Sequence, residues 1–238
     1  MNNFYFLIKI KMLILFELIL FILFVFELFL FVLLLLLINK INNINSLKNL
    51  NKISIENLYN KCKTGDIIYF RYKSVKLLDE IFSKYTHIGL VVELNDKKYI
   101  FESHLKGDAR NMGIETGGVH LHDLIDRINT YEGDTYYSKL KYDIDKDIID
   151  RFVDNIDEYK KIEFQDLYRR YIINNCLLDR IYNKCISKNT TKKFCSEFVM
   201  FCLYELKIVK NNCSDCVLPD DFINLVVYDN PELIIKSV

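Results

Sequence analysis

From Met12 to Ile38 the chain reads MLILFELILFILFVFELFLFVLLLLLI, an apolar run broken only by Glu17 and Glu27. A helix needs about 20 such residues to cross the hydrocarbon core of a bilayer, and this run is longer. Each carboxylate costs ~3 kcal/mol near a helix centre while ~25 apolar residues return ~0.4 kcal/mol apiece, so insertion is favoured. Either glutamate can also protonate or pair with a partner helix. A cleaved signal peptide has a shorter apolar core, and the following NKINNINS lacks the small residues that a signal peptidase prefers. Residues 1–38 are therefore expected to form an uncleaved, single-pass anchor in a membrane lipid bilayer.

The flanking charges barely orient that anchor, since Lys9 and Lys11 precede it and Lys40, Lys48 and Lys52 follow. The cysteines decide the matter: seven, an odd number without framework spacing, suit a reducing compartment, so the rest of the chain is expected to face the cytosol. Residues 39–60 read as an Asn- and Lys-rich tether with a short helix near Ile55 to Cys62, and residues 61–238 as one folded domain. Lys+Arg and Asp+Glu both number 32, and a nucleic-acid binder would need a basic excess that is not there. Abundant Asn, Ile, Lys and Tyr without any Trp suggest an AT-rich genome, such as that of a large DNA virus or a protist.

All seven glycines lie between Gly65 and Gly133, while residues 134–218 contain no Gly or Pro, which separates a turn-rich part from a helix-rich one. Asp66 to Tyr72, His87 to Glu93, Tyr99 to Ser103 and Thr135 to Tyr142 have strand character, the middle two joined as an antiparallel hairpin through Leu94 to Lys98. Apolar residues at helical spacing predict helices around Ile148 to Ile156, Phe164 to Ile172 and Cys195 to Lys207. Strands followed by helices predict an α+β domain with a small antiparallel sheet of four or five strands packed on helices.

His87 opens an apolar strand, which holds its ring at a strand end. Cys195 opens the last of these helices, just after Lys192-Lys193-Phe194, where the positive end of the helix dipole and the lysines favour the nucleophilic thiolate. A nearby imidazole would complete an activated pair. Other groups carry weaker signals. His120 and His122 alternate as on a strand but show no third metal ligand, so surface histidines are the plainer reading. Cys213 and Cys216 form one C-x-x-C without a matching pair, Cys176 and Cys185 being wrongly spaced. Gly113 and Gly117-Gly118 lack the strand-to-helix context of a phosphate loop. No metal and no cofactor are expected.

Thr64-Gly65-Asp66-Ile67-Ile68, Thr86-His87-Ile88-Gly89-Leu90-Val91, Tyr99-Ile100-Phe101-Glu102-Ser103, Phe194-Cys195-Ser196-Glu197-Phe198-Val199 and Leu218-Pro219-Asp220-Asp221-Phe222 follow one another in the chain. In this order they resemble the circularly permuted, NlpC-like branch of papain-fold cysteine hydrolases found in bacteria and in large DNA viruses, including poxviruses. The resemblance runs over about residues 60–225, and its His-before-Cys order is that of the permuted form. It implies that Cys195 is the nucleophile, His87 the general base, and Glu102 the group that orients the imidazole, with His104 as substitute. The expected activity is that of a membrane-anchored thiol hydrolase or acyltransferase acting on a peptide, protein or lipid acyl substrate at a host-cell or virion membrane. The alternative is an inactive papain-fold membrane protein serving as an interaction module.

Overall fold

The computed structural model describes residues 2–73, 83–105, 112, 116–164, 192–210 and 217–236. The chain divides into two compact units, Met1–Lys48 and Asn49–Val238. The first is helix α1, Asn2–Lys48, within which Phe16–Leu35 is apolar and long enough to cross a membrane. None of that stretch is buried, and Phe21, Phe24 and Phe29 stand out from it. The expected tether at 39–60 is not observed as one. Its first part continues α1 to Lys48, and its second part supplies two elements of the folded unit.

Those elements are β1 (Lys52–Ser54) and α2 (Ile55–Lys61), the helix capped where Ser54 Oγ accepts from Asn57 N–H at 3.2 Å. There follow β2 (Ile67–Tyr72), β3 (His87–Leu94), β4 (Lys97–His104), β5 (Gly118–Asp123), α3 (Leu124–Thr130), β6 (Gly133–Ser138), α4 (Lys146–Asp154), α5 (Ile156–Tyr159), β7 (Glu163–Phe164) and β8 (Lys192–Lys193). The nucleophile candidate begins α6 (Cys195–Glu205), followed by a 3₁₀ turn at Pro219–Asn224 and β9 (Glu232–Ile235). The unit is a mixed α+β structure around a seven-stranded sheet of order β1-β9-β6-β2-β3-β4-β5. The expected all-antiparallel sheet of four or five strands is thus corrected. Strands β1 and β9 are too short for pattern reading, β5 is signalled only by the alternation of His120 and His122, and β1 pairs with β9 in parallel. Of the helix expected at Phe164 to Ile172, Phe164 is in β7 and the remainder lies outside the described residues.

The β3–β4 hairpin turns on Asn95 and Asp96, with φ of 50° and 62°, the left-handed pair that a two-residue turn of matching twist requires. Side-chain alternation then sorts the sheet into two faces. Ile68, Phe70, Val91, Ile100 and Tyr137 pack with Leu58 of α2 and Leu124 and Ile128 of α3 into one core. The other face carries Tyr69, Leu90 and Phe101, and the Phe101 ring meets Phe198 of α6 at 4.9 Å between centroids. Buried Asp66 joins β2 to β6 by accepting from Tyr137 O–H (2.8 Å) and from the backbone N–H groups of Leu140 (2.8 Å) and Lys63 (3.0 Å).

Candidate active site

His87 is the first residue of β3, and the β3–β4 ladder begins only at Leu90↔Phe101, so that end of β3 is joined to β2 alone. What fixes the approach to His87 is the 3₁₀ turn: Asp220 accepts from Ser83 O–H (2.9 Å), Lys84 N–H (2.7 Å) and Tyr85 N–H (3.3 Å). The Phe70 ring lies 5.3 Å from the imidazole. Cys195 reaches the same place from α6. Ser103 O–H donates to the Lys193 carbonyl at 2.9 Å, tying β4 to the residues just before the helix, and the Glu197 carboxylate turns back to accept from Phe194 N–H at 3.4 Å. That second contact is half of a capping box.

These elements bring the three predicted residues into contact. His87 Nε2 meets Glu102 Oε2, and the Cys195 side chain lies near enough to the imidazole to act on its charge. With Nε2 taken by the carboxylate, Nδ1 is the nitrogen left for the sulfur. The His87 side chain retains 13% of its exposure and Cys195 8%. Burial alone would strip His87 of its proton, but the Glu102 charge and the Cys195 sulfur outweigh it and push its pKa up to about 10. The other two described cysteines lack any such partner. Burial pushes the Cys62 thiol up to about 12 and raises that of Cys202 well above its ordinary value.

Glu102 is fully buried, which opposes its charge, yet Arg127 and His87 hold its carboxyl well below the usual carboxylate range. Arg127 donates from Nε to Oε1 at 2.5 Å and from Nη2 to Oε2 at 3.3 Å. Sequence reasoning missed this residue. The available signal was an arginine at i+3 from Leu124 and i−1 from Ile128, on the apolar stripe of an amphipathic helix.

His104 does not orient His87. Its Nδ1–H donates to the Leu105 carbonyl at 3.0 Å, which leaves Nε2 as an acceptor 3.2 Å from His122 Nε2. His122 Nε2 in turn lies 3.3 Å from Glu102 Oε1, so a single His122 proton serves both neighbours. His120 stacks on His104 with centroids 4.6 Å apart. The expectation of surface histidines therefore fails for His122, which is 2% exposed, because Ile100↔His122 and Glu102↔His120 pairing puts both on the face that carries Glu102. Desolvation lowers all three pKa values, that of His122 to about 4. Among the described residues, no three His, Cys, Asp or Glu side chains are grouped to hold a metal ion. Cys176, Cys185, Cys213, Cys216 and Gly113 lie outside the described residues.

No family model and no curated protein matches this chain. Among solved structures it is similar to the crystal structure of the metalloprotein yiiX from Escherichia coli O157:H7, DUF1105. The identity is 16%, the TM-score 0.41, and the match covers 74% of this chain and 89% of that one.

Proposed function

We propose that this chain is a membrane-anchored thiol hydrolase or acyltransferase with a permuted papain-like catalytic unit. The observation that carries the reading is the buried Glu102 carboxylate on the His87 imidazole, with Cys195 close enough to the same ring to act on its charge. Charge counting supports it. Arg127 and a protonated His87 face one buried carboxylate, Glu102, which leaves a net positive charge beside the Cys195 sulfur.

In the first step the Cys195 sulfur bonds to the carbonyl carbon of an amide, isopeptide or ester, and the electron pair moves onto oxygen. The backbone N–H of Cys195, in the first helical turn and without an intrahelical acceptor, is the donor that this reading assigns to the oxyanion. On collapse the bond to the leaving group breaks and His87 supplies its proton. Water or a second nucleophile then attacks the acyl-enzyme, returns a proton to His87 and releases the sulfur. Glu102 holds the imidazole in the required tautomer throughout. Helix α1 keeps the unit at a membrane surface, which favours lipid or membrane-protein acyl groups over soluble peptides.

A thiolate-directed alkylating probe tests the proposal. On a background with Cys176, Cys185, Cys213 and Cys216 replaced by Ser, the chain that keeps Cys195 should label at neutral pH and its Cys195→Ala derivative should lose essentially all labelling, because burial keeps Cys62 and Cys202 protonated. Equal labelling of the two proteins removes the basis for the assignment.

A further inference from the structure

We propose that Arg127 is a positioning residue of the Cys195–His87 pair, acting through Glu102: its guanidinium clamps both carboxylate oxygens so that one oxygen stays aimed at the imidazole. The inference rests on the function proposed above and assigns a role to a residue on the opposite sheet face from α6.

Three observations carry it. First, the grip is two-point, through Nε on Oε1 at 2.5 Å and Nη2 on Oε2 at 3.3 Å, which fixes the carboxylate plane as well as its position. With Oε1 occupied by Arg127 and close to His122, Oε2 is the oxygen left for His87. Second, the clamp is itself held. The guanidinium lies 5.0 Å over the Phe70 ring and 5.5 Å over the Tyr131 ring, and Phe70 is also the aromatic packed beside His87. Third, Glu102 is completely buried, and a carboxylate there keeps its charge only while it is compensated. Arg127, His87, His122, His104, His120 and Tyr131 are the ionisable groups around it; Arg127 and His87 hold its charge, and His122 is neutral in the tautomer its contacts require. A lysine would restore the charge but not the fork.

The test uses the full chain in detergent micelles, with ¹⁵N-labelled histidine, and compares wild type, Arg127→Met and Arg127→Lys. The His87 ring shifts report protonation of Glu102 directly, and the rate of Cys195 alkylation reports the consequence. Arg127→Met should bring an acid inflection of the His87 ring nitrogens up into or above the ordinary carboxylate range. Its alkylation rate near that pH should fall by roughly tenfold for each unit of the shift. Arg127→Lys should keep the inflection low while alkylating several-fold more slowly than wild type. A purely structural arginine would instead leave the His87 shifts of a folded variant unmoved. Wild-type His87 shifts and alkylation at every pH in Arg127→Met would overturn the proposal. Should that variant not fold, a wild-type alkylation profile in Arg127→Lys would overturn it equally. An inert Cys195 in wild type counts against the proposed enzyme alone, since the His87 shifts still decide the role of Arg127.

Discussion

The closest steric constraint at the candidate site falls on Gly89. A Cβ built there would stand 2.5 Å from Ile100 Cγ2 and 3.3 Å from Glu102 Cβ. Gly89 faces the same side of the sheet as Glu102, and its missing side chain lets that carboxylate reach the start of β3. Gly89→Ala is expected to cost about 1–3 kcal/mol in chemical denaturation, the usual range for overpacking a tight core. The same variant should slow alkylation of Cys195 by displacing Glu102 from His87. At this scale the sequence was most informative about residues with unusual chemistry. His87 and Cys195 stood out because one opens a strand and the other a helix, and Glu102 followed from the resemblance. Arg127 did not, because its function comes from a carboxylate 25 residues away and no local pattern records that contact.

At the scale of elements, β4 and β5 together display a polar layer inside an apolar sheet face: Glu102, His104, His120 and His122. The His104–His122 hydrogen bond forms only with neutral histidines, since a second proton on His104 would set two N–H groups against each other 3.2 Å apart, and the buried His122 Nδ1 has no partner to stabilise a second proton there. The sign of the pH dependence follows. Unfolded histidines take up protons near pH 6.5, whereas folded His122 resists down to about 4, so stability is lost as pH falls through that window. His87 behaves oppositely. Its folded pKa of about 10 gives a contribution present in full below about 6.5 and lost as pH rises towards 10. Melting temperatures should therefore peak near pH 6.5, with His122→Gln flattening the acid limb and His87→Gln the alkaline one. Strands β2, β3 and β4 and helices α4 and α6 were legible because their apolar periods are long enough to read. Strands β1, β7, β8 and β9 have two to four residues each, too few for a period, and owe their form to partners distant in the chain.

For the whole molecule, the division after Lys48 implies that the apolar helix can be removed without cutting the sheet. A chain starting at Asn49 should be recovered folded without detergent, while the full chain floats with liposomes in a sucrose gradient. A chain starting at Lys61 should fail to fold, because it also loses Ile53, Ile55 and Leu58, buried residues worth about 1.5–3 kcal/mol each. Circular dichroism of the two truncations separates these outcomes. That second cut is the one the sequence alone would have recommended, because an Asn- and Lys-rich stretch looks like linker until its few apolar residues find a core.

The strand order carries a further consequence for assembly. Strand β9 slots between β1 and β6, so Lys52 to Ser54 find their neighbours only at Leu233 to Ile235. Closing a loop of that span is slow, and β6 keeps a raw hydrogen-bonding rim until it happens. The sheet thus has a seam whose closure joins its two chain ends, and a partly folded chain would present that sticky border to its neighbours until the seam is sealed.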